Sequence, residues 1–186
     1  SKIVQLEPGF KFCIQYLLKL GIIFLGIRLS LVDFLQYGSK SLAIIIPCII
    51  SSIIIVTLLK DKFKVSNNLS LLIAVGTSIC GATAIVALAP SINAKKIEIT
   101  YAIANITVFG LFAMFLYPII ANLVFIQESL PIGLFIGSSI HETAQVAGSA
   151  MIYAEQYSNQ EVIGIATVTK LVRNTLMVFV IPYLAH

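Results

Sequence analysis

Apolar runs long enough to cross a bilayer follow one another along most of the chain, with polar residues in short groups between them. A membrane-spanning helix needs about 17–25 predominantly apolar residues. Residues 12–35 (segment A), 42–59 (B), 69–89 (C), 99–126 (D), 132–153 (E) and 162–184 (F) meet that length. The pattern predicts an all-α polytopic membrane protein with about six membrane segments in one transmembrane domain over residues 1–186. A short loop is expected at residues 37–41, and Pro47 is a candidate kink in B.

Segments C and E are interrupted at their middles. E carries Gly137-Ser138-Ser139-Ile140-His141-Glu142-Thr143-Ala144-Gln145, and C carries the similarly built Gly76-Thr77-Ser78-Ile79-Cys80-Gly81. Polar groups at that depth are costly and mark a functional site by default. Glycine lets the chain leave helical geometry, and a following Ser or Thr is a favoured N-cap. Ser139 and Glu142 also fit the capping-box spacing. Both segments are therefore expected to break near 76–78 and 137–139 and to start a new helix there. Its free amides and positive dipole end would face the membrane centre. Two such ends around one cavity make an anion site of the kind transporters build from broken helices.

Composition removes the soluble alternative. The chain is 59% hydrophobic and 11% charged, with a mean hydropathy of +1.01. Soluble domains carry about 25% charged residues. The net charge of +4 is no sign of nucleic-acid binding in such a chain; its information lies in which loops hold the lysines. Residues 60–64 (Lys-Asp-Lys-Phe-Lys) form the most basic loop and are expected in the cytoplasm. Lys95 and Lys96 lie after C, whereas the loops after D and E carry no base. If C and E both crossed, Lys95 and Lys96 would face outward, against the positive-inside rule. If each dips in and returns, both basic loops are cytoplasmic and the two tips meet from opposite sides. The lysines favour dipping, although each segment is long enough to cross as a broken helix. Cys13, Cys48 and Cys80 have no CxxC spacing and read as free buried thiols. The chain has no initiating methionine and begins like a loop, so a piece of a longer protein is expected.

The candidate binding residues are Gly76, Thr77, Ser78, Gly81, Ser138, Ser139, His141, Gln145, Lys170 and Arg173. His141 and Glu142 are the candidates for proton coupling, since both can change charge near neutral pH in a suitable environment. Lys170 and Arg173 lie three apart at the middle of F, where two positive charges need an acid or an anion as compensation. Plainer roles stand beside these. Small residues in membrane helices commonly serve close packing. Buried hydroxyls commonly bond back to their own helix. His141-Glu142-Thr143-Ala144-Gln145 is one substitution short of the zinc-protease H-E-x-x-H motif, but Gln145 is a poor zinc ligand, so no enzyme, metal or cofactor is expected.

Residues 17–29 (Leu-Leu-Lys-Leu-Gly-Ile-Ile-Phe-Leu-Gly-Ile-Arg-Leu), 76–82 (Gly-Thr-Ser-Ile-Cys-Gly-Ala), 137–147 (Gly-Ser-Ser-Ile-His-Glu-Thr-Ala-Gln-Val-Ala) and 170–174 (Lys-Leu-Val-Arg-Asn) stand in the order and spacing of the YeiH-type membrane family. The resemblance covers nearly the whole chain. It implies a multi-pass protein of the bacterial inner membrane, with further spans beyond this chain. The family is often labelled as sulfate exporters. The expectation is thus an alternating-access transporter for a small anion, sulfate or a related sulfur oxyanion. A proton- or cation-coupled organic-acid carrier is the alternative, and a non-transporting scaffold or sensor the alternative of another class. The bilayer and the anion are the expected partners, no nucleic acid is, and a homo-oligomer is left open.

Overall fold

The computed structural model describes the backbone of residues 31–185 and the side chains of residues 35–184. Segment A up to residue 30 lies outside the described residues, as do Cys13 and the motif at 17–29. Helices joined by short turns make up the described residues, and no strand occurs among them. The helices are α1 (Leu31–Leu59), α2 (Asn67–Ser78), α3 (Ala82–Leu88), α4 (Lys96–Phe125), α5 (Ser129–Ser139), α6 (Thr143–Gln156), α7 (Glu161–Thr175) and α8 (Met177–Ala185).

Segment B is α1, D is α4, and F is α7 with α8. These three are long and apolar enough to cross a membrane: Leu35–Leu59, Lys96–Phe125 and Glu161–Leu184. The loop expected at 37–41 is instead part of α1. The Ser41 hydroxyl donates to the Tyr37 carbonyl at 2.8 Å, so this polar group is satisfied inside the helix and the turn is not needed. The Tyr37 hydroxyl donates to Glu161 at 2.8 Å, and Ser41 meets Thr169 at 2.9 Å, which fastens α1 along α7.

Segments C and E are broken, and hydrogen bonds at their mouths show that each folds back as a helical hairpin, the shape expected of a re-entrant segment. At the start of α2, Asn68 donates to the Ile92 carbonyl, beyond the end of α3, at 3.2 Å. The α2 N-cap, Ser66, donates to Glu98 in the first turn of α4 at 2.5 Å, and Lys60 donates to Asn67 at 2.9 Å. Residues 60–68 and 92–98 therefore share one side. At the start of α5, Asn159 donates to the Ser129 hydroxyl at 3.0 Å, although α6 intervenes. The other side holds the mouth of α5–α6 and the starts of α1 and α7. α4 joins the two sides. The hairpins thus dip from opposite faces, and their tips meet between α1, α4 and α7. Both basic loops fall on one side and both base-free loops on the other, the arrangement favoured by the lysines.

The break positions differ from the expected ones. α2 and α5 continue through Ser78 and Ser139, and the chain leaves helical geometry at Ile79–Gly81 and Ile140–Glu142. Gly137 serves close approach: a Cβ there would lie 2.5 Å from the Ala166 carbonyl oxygen and 2.7 Å from Thr169 Cβ on α7. The hydroxyls of Ser78 and Ser138 bond back to Val75 and Phe135 at 3.3 and 3.4 Å, and that of Ser139 also donates to Phe135. None of these hydroxyls caps α3 or α6; Gly81 and Glu142 hold the N-cap positions.

Three apolar clusters surround the tips. One joins α2, α3 and α4 with α8, a second joins α4, α5, α6 and α7, and the third joins α1 and α7. The outer faces of α1 and α4 expose Ile46, Ile50, Ile54, Leu58, Phe112 and Leu123, as a lipid-facing surface does.

Candidate functional site

The site is the junction of the two hairpin tips, and Gly81 fixes its shape. Its φ of +73° is open to glycine and strained for other residues. A Cβ at Gly81 would lie 3.1 Å from Glu142 Cγ and 3.2 Å from Glu142 Oε1. The carboxylate of one hairpin occupies the space that a side chain on the other would need. Glu142 Oε1 accepts a hydrogen bond from the Ala82 amide at 3.3 Å. It therefore meets the positive end of α3 across the junction, and the expected reach back to Ser139 does not form. The sequence spacing matched a capping box, but a tertiary partner took the acceptor.

Two cations on α7 hold the other helix ends. Lys170 is fully buried and donates to the carbonyls of Ile79 at 2.9 Å, Ile140 at 3.1 Å and His141. These three bonds use all the ammonium donors. Arg173 Nε donates to the Ser78 carbonyl at 2.8 Å, Nη1 to Ser138 at 2.5 Å, and Nη2 to Thr77. The carbonyls belong to the C-terminal ends of α2 and α5 and to the turns after them, where helix dipoles place negative charge. Each cation touches both hairpins. Ile79 and Ile140 hold matching places in the Gly76–Ala82 and Gly137–Thr143 stretches, as do Thr77 and Ser138. Lys170 and Arg173 thus sit on an approximate two-fold relation between the tips.

Four half-helix ends meet here, and their partial charges cancel in sum. The side chains do not cancel: Lys170 and Arg173 share the junction with one carboxylate, Glu142, and bond to backbone carbonyls rather than to it. With all three ionised, the junction carries one excess positive charge. Three of the five Arg173 donors are engaged by these carbonyls. The N-cap residue of α6, Glu142, makes no side-chain bond to its own helix.

A cavity of about 210 Å³, rimmed by the exposed Phe109, Phe112 and Leu116 of α4 and so open to the outer face of that helix, lies beside the α5–α6 tip. Ser139, Ile140 and His141 form one wall, and Phe109, Phe112 and Tyr117 on α4 lie among the opposite ones. His141 Nδ1 is buried without a protein partner among the described residues.

The structure brings together Thr77, Ser78, Gly81, Ser138, His141, Glu142, Lys170 and Arg173. Thr77, Ser78 and Ser138 enter through backbone carbonyls, a role that sequence reasoning assigned to side chains. Gly76 stands apart and packs against Ile85 and Ile106. Gln145 is buried against α4 and donates to the Thr107 carbonyl at 3.2 Å. Two contributors were missed as site residues. Asn174 donates to the Thr143 hydroxyl at 3.3 Å, tying α7 to the first residue of α6. Ala82 supplies its amide to Glu142. Asn174 had a signal, lying one residue from Arg173; an alanine amide has none.

The fold and site define a multi-pass α-helical membrane protein built around two re-entrant hairpins. The chain belongs to the family described as conserved hypothetical protein 698, whose model matches residues 1–186. It is 34% identical over 172 residues to a UPF0324 membrane protein of Streptococcus agalactiae, covering 92% of this chain and 51% of that one. It is 36% identical over 161 residues to the UPF0324 inner membrane protein YeiH of Escherichia coli K12, covering 84% and 46%. The similarity to a Streptococcus mutans UPF0324 membrane protein is 33% over 172 residues. The chain spans about half the length of the curated relatives it matches. No solved structure matches.

Proposed function

We propose that this protein is part of a secondary transporter that moves a small anion, sulfate or a related sulfur oxyanion, by alternating access at the junction of the hairpins. The observation that carries the reading is that two buried basic side chains, Lys170 and Arg173, bond to carbonyls of both hairpin tips where four half-helix ends meet, beside a single carboxylate, Glu142. An anion balances such a site better than a neutral solute does, and a divalent oxyanion matches the two cations when Glu142 is protonated. Arg173 is the preferred contact, because its planar fork matches tetrahedral oxyanions and two of its donors lie outside the carbonyl bonds. The N-terminus of α6 adds amides suited to the same charge. Discontinuous helices that meet near the midplane are a recurring way to build transporter sites.

Glu142 and His141 supply the coupling groups in this reading. Protonation of Glu142 would weaken its bond to Ala82 and loosen one hairpin tip from the other. The same carboxylate also favours, as a second reading, an organic-acid carrier coupled to protons or cations.

Anion-induced thermal stabilisation of the purified full-length protein tests the proposal. An anion at 100 times its Kd adds about 2.7 kcal/mol if it binds only the folded state. Sulfate or thiosulfate should raise the melting temperature above that in matched chloride, and Arg173→Lys should reduce the increment. Equal melting in all anions would overturn the anion reading.

A further inference from the structure

A row of polar residues leaves the junction along α6. Gln145, Ser149 and Tyr153 follow at four-residue intervals, the spacing that stacks side chains on one side of a helix, and His141 stands in the turn just before α6. Gln145, Ser149 and Tyr153 are buried, although apolar residues such as Val146 and Ala150 share the helix. Gln145 reaches α4 through the Thr107 carbonyl, and the Tyr153 hydroxyl donates to Asn122 on α4 at 3.1 Å. Ser149 lies one turn from each. Gly110 on α4 leaves the space that the Gln145 amide fills.

Three successive members keep a buried polar atom without a protein partner among the described residues: His141 Nδ1, Gln145 Oε1 and Ser149 Oγ. A buried polar atom left unsatisfied costs about 1–3 kcal/mol, so three in one row are a strong bias toward solvation. Water is the ligand that satisfies hydroxyl, amide and imidazole alike, and buried water typically bonds to such groups. The row begins at the cavity beside the α5–α6 tip. It ends at Tyr153, one turn from Tyr157 at the C-terminal end of α6, with the two rings 4.7 Å apart. Tyr157 lies next to the hairpin mouth tied by Asn159 and Ser129.

We propose that the α4–α6 interface holds a water-filled path from the His141 cavity to the membrane face at which the α5–α6 hairpin opens. Its ligand is water, ordered by Gln145, Ser149 and the Tyr153–Asn122 pair. It is a route separate from the Lys170 and Arg173 clamp on α7. It stands on the re-entrant topology alone and is independent of which solute is carried.

Silver ion is a thiol-reactive probe narrow enough to follow a water-wide path. In the full-length protein, with native cysteines replaced and reconstituted in vesicles, single cysteines are exposed to silver from one side. Unreacted thiols are then counted with a maleimide mass tag after denaturation. Ser149→Cys should react from the α5–α6 side and be protected from the other. Met151→Cys, on the exposed apolar side of α6, should stay unreactive, and Ser158→Cys at the mouth reports access to that face. His141→Cys should also react, and adding Ser149→Leu should slow it about tenfold or more, equivalent to about 1.4 kcal/mol of barrier. No reaction at Ser149→Cys, equal reaction at Met151→Cys, or an unchanged rate at His141→Cys with Ser149→Leu would each overturn the path. Failure of anion binding would leave these results unaffected.

Discussion

Single residues decide whether the junction holds. Gly81→Ala places a Cβ against Glu142 at a φ of +73°, and such backbone strain costs about 1–3 kcal/mol. The expected outcome is a lower melting temperature in detergent, with the hairpin mouths intact. Lys170→Met removes the donor shared by the Ile79, Ile140 and His141 carbonyls. A buried carbonyl left without its donor costs about 1–3 kcal/mol, so loss of the folded protein or a large drop in its melting temperature is expected even without anion. Glu142→Gln should behave differently. The amide keeps an oxygen for Ala82 and loses the titratable charge, so melting should stay near wild type while the pH dependence of transport flattens. A full wild-type pH profile in that variant would leave Glu142 a cap only. At this scale the sequence singled out Lys170, Arg173 and Glu142, because ionisable groups stand out in an apolar run, and the structure places all three at the junction. It did not reveal their partners. The cations reach backbone carbonyls from residues far away in sequence, and every residue has such a carbonyl.

At the scale of elements, the two hairpins are the distinctive feature, and their sidedness is directly measurable. Cysteines at Ser66 and Lys95 should react with an impermeant maleimide from the cytoplasmic face, and cysteines at Glu128 and Ser158 only from the opposite one. Reaction of Lys95→Cys from outside would replace the dipping hairpins with broken crossings. Periodicity and length gave the existence of the long helices. Placing the two breaks from glycine and hydroxyl residues put them a few residues early. Gly76 and Gly137 match a helix-leaving signal locally, but packing against Ile85, Ile106, Ala166 and Thr169 keeps both inside helices. The loop expected at 37–41 failed for a related reason. Ser41 bonds to its own helix and to Thr169, so a polar group that resembled a turn became a contact between helices.

Over the whole molecule, α1 with the α2–α3 hairpin and α4 with the α5–α6 hairpin form two units of opposite orientation around α7. The matching Gly-Thr-Ser-Ile and Gly-Ser-Ser-Ile stretches occupy matching places in them. Inverted units of this kind give a transporter two related conformations, with the site exposed to either side. The departure from symmetry is chemical: one tip carries Cys80 and Gly81, the other His141 and Glu142. In the proposed transporter the coupling groups would therefore sit on one hairpin, while the basic side chains that join both belong to α7. The most direct test is uptake of radiolabelled sulfate by vesicles containing the full-length protein, preloaded with unlabelled sulfate. The expected result is uptake well above that of empty vesicles, strongly reduced by Arg173→Lys in protein that still folds. Uptake equal to that of empty vesicles for sulfate, sulfite and thiosulfate alike would contradict the account.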